Sequence, residues 1–265
     1  MNDSYPHFKD YFANVINIVQ RDVKDWKSLL YILNKHISAQ DFNFHIYEDN
    51  TKFQDILIHT LKVLFCLMKD VNFKQLNIEN QEILLWTALF HDCAKLAPPL
   101  TVSPDGRDPA HPFRSCHKTL IYLSHLNILK LSQSQLNQWN YLFEQAYIIV
   151  NKVFLEGNIP VQIHNMNVLP KLILFIEKEV QSSFFKTVLK LICLHQSIPC
   201  CKYPPVTPID LRETSLYFNK QELLLLQVFW INDSYSYCYD KEEVFDFDIE
   251  IQQKIKEAMK HLHTQ

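Results

Sequence analysis

Residues 84–96 read LLWTALFHDCAKL, an apolar run that delivers a consecutive His91-Asp92 pair near its end. The spacing of Leu85, Ala88, Leu89 and Phe90 predicts a buried helix. A carboxylate beside such residues carries a large desolvation cost unless it is paired with charge or bound to a metal. Two further segments share this character. DILIHTLKVLFCL (55–67) sets His59 in an apolar helix, and LLLLQVFWINDSYSY (223–237) sets Asp233 in another. Each is polar where its surroundings are apolar.

Outward from these stretches, apolar residues recur at three- and four-residue steps, whereas alternating runs bounded by turn residues are scarce. The fold class expected is all-α, with about ten helices over 8–20, 25–38, 52–69, 79–96, 116–130, 132–154, 168–180, 183–197, 219–239 and 248–262. Two segments break the pattern. LAPPLTVSPDGRDPAHPF (96–113) is dense in Pro and Asp and reads as a loop directly after His91-Asp92, and SIPCCKYPPVTPIDLRET (197–214) reads as a loop after His195. Without repeats or linker composition, residues 1–265 read as a single helical domain. Residues 1–45 read as an N-terminal helical extension of packing helices.

Composition excludes several classes of function. The chain has two glycines, Gly106 and Gly157, whereas the phosphate cradles of Rossmann and P-loop folds need several glycines close together. A formal charge of −3 gives no global reason to expect nucleic acid as a partner. Seven cysteines lack CxxC spacing, so a disulfide framework is not expected and a reducing compartment is. No signal peptide and no run of about 18 apolar residues is evident. The expectation is a soluble cytoplasmic protein with no membrane partner.

Imidazole and carboxylate together suit divalent Fe, Mn, Ni, Co and Zn. His59, His91, Asp92 and Asp233 as four ligands would leave open positions for water and substrate. A cation there acidifies bound water and neutralises charge on phosphoryl oxygens, which permits hydrolysis without a protein nucleophile.

The ordered set His59, His91-Asp92, Asp233 resembles the HD-domain superfamily, whose motif is a His, a His-Asp pair and a distant Asp. The string HDCAK (91–95) is similar to the HDxxK continuation frequent in that family, with Lys95 one helical turn beyond Asp92. The resemblance spans about 50–240. It implies a metal-dependent phosphohydrolase (phosphomonoesterase, phosphodiesterase or nucleotidase) acting on a phosphate ester or anhydride, with a nucleotide or nucleotide-derived phosphate as substrate class. The implied cofactor is a divalent metal (Mn, Fe, Co, Ni, Mg or Zn), as one or two ions. Some branches carry two further histidines for a second metal, and this chain offers His117 and His195, with Asp92 then bridging. His117, in HPFRSCHKTL, stands where the family often has a GHE-like segment, although Cys116 and Lys118 replace Gly and Glu. The resemblance also admits an HD-type diiron oxygenase, and the same pocket admits a non-catalytic nucleotide-sensing or interaction module.

Among the remaining polar residues, Asp92, Lys95, His117 and His195 are the candidate catalytic groups, the two histidines as substrate-orienting or proton-donating groups if they are not ligands. Lys95, Arg107, His111, Arg114 and Tyr235 are candidates for substrate binding, the arginines through bidentate phosphate contacts. Tyr237, Lys202 and Arg212 are further candidates near the two loops. His125 and His164 read as structural or solvated, and Cys93 and Cys116 as small buried hydrophobes.

Overall fold

The computed structural model describes Ser28 and residues 53–95, 108, 110–155, 169–198, 209–236 and 247–262. Nine α-helices and one 3-10 helix account for most of these residues, and no strand occurs among them. In chain order the helices are α1 (Phe53–Lys69), α2 (Val71–Gln75), α3 (Ile78–Phe90), α4 (His111–His125), α5 (Gln133–Leu155), α6 (Leu169–Glu179), α7 (Ser183–Leu194), α8 (Lys220–Ser236) and α9 (Phe247–Lys260), with the 3-10 helix Leu211–Leu216 before α8. The all-α expectation holds. The helices expected over 8–20 and 25–38 lie outside the described residues, apart from Ser28, which is helical. No described helix is long and apolar enough to cross a membrane.

Side-chain caps place several of the starts. Asp70 accepts from the backbone N–H groups of Asn72 and Phe73 to open α2, Asn77 accepts from Asn80 to open α3, and Ser182 accepts from Phe185 to open α7. The short α2 and the 3-10 helix, whose N-cap Asp210 accepts from Arg212, were not expected from periodicity, because neither is long enough to show a period.

One boundary matters for the site. The composition of 96–113 predicts a loop throughout, but α4 begins at His111, with Pro112 in its first turn. The proline that looked like a helix breaker occupies the one place in a helix where its missing N–H costs nothing.

The core is organised around α3. Every residue from Asn80 to Phe90 is buried, and from Ile83 onward all but Thr87 are apolar, so this part of the helix is enclosed on every side. It packs against α1, α4, α7 and α8. Trp86 sets its edge against Phe184 and Phe185 of α7 at centroid distances of 6.3 and 5.2 Å. Beside this core, Lys190 of α7 is buried between two carboxylates, Glu177 Oε1 at 2.7 Å and Glu222 Oε2 at 2.8 Å.

Candidate metal centre

The four helices packed on α3 each bring a polar group to its C-terminal end. His59 comes from the middle of α1, His111 from the first residue of α4, His195 from the C-cap of α7 and Asp233 from the last turn of α8. His91 is itself the C-cap of α3, and Asp92 follows it in the turn. Both carboxylates therefore lie at negative helix ends, where an anion is disfavoured and a cation welcome. Asp92 is 1 % exposed, His91 and His195 are 0 %, His111 is 2 % and Asp233 is 6 %.

Two overlapping groups result, His59 with His91 and Asp92, and His111 with His195 and Asp92. In the first, His59 Nε2 lies 3.2 Å from His91 Nε2 and 3.5 Å from Asp92 Oδ2. Asp233 Oδ1 joins it, 3.0 Å from His59 Nε2 and 3.5 Å from His91 Nε2. In the second, His111 Nε2 lies 2.8 Å from Asp92 Oδ1 and 3.1 Å from His195 Nε2. Asp92 thus borders both groups, Oδ2 towards His59 and Oδ1 towards His111, with His91 Nε2 3.6 Å from the latter oxygen.

The imidazole tautomers follow from what their other nitrogens meet. His91 Nδ1 lies 2.8 Å from the carbonyl of Ala88, His195 Nδ1 lies 2.8 Å from that of Ile192, and His111 Nδ1 contacts that of Asp108. A carbonyl oxygen only accepts, so each Nδ1 carries the proton and donates it. His59 Nδ1 lies 2.9 Å from Ser236 Oγ, whose own proton is directed to the carbonyl of Asp233 at 2.6 Å. With Nδ1 as the donor, each ring in its neutral form presents an Nε2 lone pair to the interior. Orienting a ligand histidine through its second nitrogen is the usual support of a metal site.

Lone pairs facing one another at 3.1 to 3.2 Å repel unless something positive lies between them. Two ligands each about 2.1 Å from a common ion stand roughly 3.0–3.4 Å apart at octahedral to tetrahedral angles, which is the spacing found here. Asp92 Oδ1 and Asp233 Oδ1 are buried and make no hydrogen bond, although imidazole nitrogens crowd both. This is what results when the nearby ring protons are all directed elsewhere. The residues present fit a divalent cation, with mixed nitrogen and oxygen donors suited to first-row transition metals.

The electrostatics point the same way. Burial alone would raise the pKa of Asp92, but Lys95, His91 and His111 outweigh it and hold the carboxyl well below its usual range. Burial likewise works against Asp233, yet His59 and His91 hold it low. At His91 burial is outweighed by Asp92 and Asp233, which draw protonation upward, whereas at His59 burial prevails and lowers it. Burial, with His111 and His91 nearby, pushes His195 down to about 3. The pocket thus holds two ionised carboxylates beside His59 and His195, whose rings resist protonation.

Of the residues singled out in the sequence, His59, His91, Asp92, His195 and Asp233 meet here. His117 does not join either group. Its ring stacks on Phe143 at 3.9 Å and lies near Trp139, where burial pushes it down to about 4. His111, read as a phosphate contact, takes the place in the second group. The sequence sign for it was Pro112, which marks a helix start and so sets His111 at a rigid N-terminus rather than in a loop.

Lys95 reaches Asp92 Oδ2 at 2.7 Å and is 24 % exposed in its side chain. Arg114 is anchored within the protein, Nη2 on Asp108 Oδ2 and Nε on the Ala94 carbonyl at 3.3 Å. It ties Asp108 to the turn after α3 instead of projecting its whole fork outward. Tyr235 is 37 % exposed, two residues beyond Asp233. Arg107, Lys202, Tyr237 and His164 lie outside the described residues. Arg212 is exposed and pairs with Asp210, and His125 is exposed at the end of α4. Cys93 and Cys116 are buried, and burial pushes the Cys93 thiol up to about 12, as suits inert core cysteines. Ser236 and Asp108, which support ligand rings, carried no signal in the sequence beyond their places three residues from Asp233 and His111.

No family model matches the chain, and no curated protein and no solved structure matches it either.

Proposed function

We propose that the protein is a metal-dependent phosphohydrolase of the HD-domain kind, acting on a phosphate ester or anhydride, with a nucleotide or nucleotide-derived phosphate as the substrate class. The observation that carries this reading is the convergence of four imidazole Nε2 atoms and two carboxylates into two groups that share Asp92. His59, His91, Asp92 and Asp233 would hold one cation, and Asp92, His111 and His195 a second. Bound there, the cation supplies an acidified water and neutralises developing charge on phosphoryl oxygens.

The chain's own groups set the rest of the chemistry. Asp92 stays ionised and ties the two ligand groups to one rigid turn. Lys95, half-buried with its ammonium on Asp92, is the cation positioned to meet a phosphate oxygen at the edge of the site. The burial of His91, His111 and His195 keeps bulk water from those rings, which strengthens the charge interactions around them.

Elemental analysis of protein purified without chelators, with a hydrolysis screen over nucleoside triphosphates, monophosphates, cyclic nucleotides and 2′,3′-cyclic phosphates, tests the proposal. The expected result is bound transition metal and hydrolysis that Asp92→Ala abolishes. Metal-free protein, inactive across the screen after Mn or Zn is added, would refute it. The same six donors also suit a diiron oxygenase. A near-ultraviolet iron band with oxygen uptake would favour that chemistry over hydrolysis.

A further inference from the structure

We infer that Ser236 is a positioning residue, fixing His59 with its proton on Nδ1 so that Nε2 is the atom offered to the cation. The inference rests on the metal-site part of the proposed function. It begins with a difference among the four rings. His91, His111 and His195 stand at helix ends, and each donates to the carbonyl three residues behind it. The carbonyls behind His91 and His195 stand at helix C-termini, where they lack intrahelical partners and are free to accept, and the Asp108 carbonyl precedes α4 and lies outside any helix ladder. His59 stands inside α1, where the carbonyls behind it serve the helix ladder. It therefore needs an acceptor from elsewhere in the fold.

Ser236 of α8 supplies one. Its hydroxyl has a single proton, and the Asp233 carbonyl at 2.6 Å can only accept it. The Oγ lone pair is left for the Nδ1–H of His59 at 2.9 Å. The same turn of α8 then faces the ring at both nitrogens, because Asp233 Oδ1 lies 3.0 Å from Nε2, on the side offered to the cation. Ser236 is 1 % exposed, so water does not readily replace it. With its side chain 11 % exposed, His59 is also less enclosed than His91 or His111. A ring so placed can turn or exchange tautomers when its support is removed.

The test uses the full chain as wild type, Ser236→Ala and Ser236→Thr, the last keeping the hydroxyl. Zn(II) and Mn(II) affinities are measured by competition with a chromogenic chelator. The tautomer of His59 is read from long-range proton–nitrogen spectra of the imidazoles, assigned with His59→Gln. The expected result is an affinity lowered about 10–100-fold in Ser236→Ala, with loss of the Nδ1–H pattern of His59 and recovery of both in Ser236→Thr. Wild-type affinity and an unchanged His59 pattern in Ser236→Ala would overturn the positioning role alone. A wild type that binds neither ion would overturn the metal reading beneath it. Should Ser236→Ala fail to fold, the wild-type spectrum decides, since a proton found on His59 Nε2 contradicts the assignment outright.

Discussion

The Nε2 atoms of His111 and His195 stand 3.1 Å apart although 84 residues separate them in the chain. Both rings are aimed by backbone carbonyls, and both reach the Asp92 carboxylate from helices that pack against each other. His117, on the same helix as His111, faces an aromatic pocket instead.

His111→Ala is accordingly expected to lose the cation of the second group, while His117→Ala retains the wild-type metal content. Elemental analysis of the two variants in parallel checks this. Equal loss in both would return His117 to the site.

Cation binding should stabilise the fold, since the ligands come together only in the native chain. At a free metal concentration of about 100 times Kd the gain is about 2.7 kcal/mol. Thermal melts with and without chelator should show this shift in the wild type and its disappearance in Asp92→Ala. A wild type indifferent to chelator would count against the site.

His117 gives a pH dependence of definite sign. Burial lowers its folded pKa to about 4, below the ordinary value near 6.5, so the unfolded chain takes up the proton first. Its contribution is complete above pH 6.5 and is lost as pH falls towards 4. Between pH 6.5 and 5 the loss should be on the order of 1–2 kcal/mol. His117→Phe, which keeps the stacking surface, should flatten that part of the profile in urea titrations.

Lys190 supports the fold without touching the site. Its ammonium is buried between Glu177 and Glu222, and Glu222 also accepts from the Asn219 backbone N–H. Lys190→Ala leaves a buried carboxylate uncompensated and should cost about 3–5 kcal/mol. Denaturant midpoints measure the cost, and the metal content of the folded fraction should not change.

The sequence made the first candidate group legible because His59, His91, Asp92 and Asp233 are polar interruptions of apolar helices, a contrast visible without coordinates. It also exposed the helices that carry them, since each is long enough to show its period. His111 was misread because proline and aspartate dominate 104–112, and a proline in a first turn looks the same as one that ends a helix. His117 attracted the second role because it stands where the HD-domain superfamily often has a GHE-like segment, and likeness along the string does not say which way a side chain faces. The contribution of Ser236 was invisible for a different reason. It depends on a contact across 177 residues, and nothing local announces such a partner.

Because α3 is enclosed by four helices that each contribute one group, the pocket cannot exist until the chain has closed several long loops. Early folding intermediates therefore have no reason to recognise the cation, and the transition state should be largely blind to it. An ion held there would act as a late lock, slowing escape from the native state while leaving the rate of reaching it nearly unchanged.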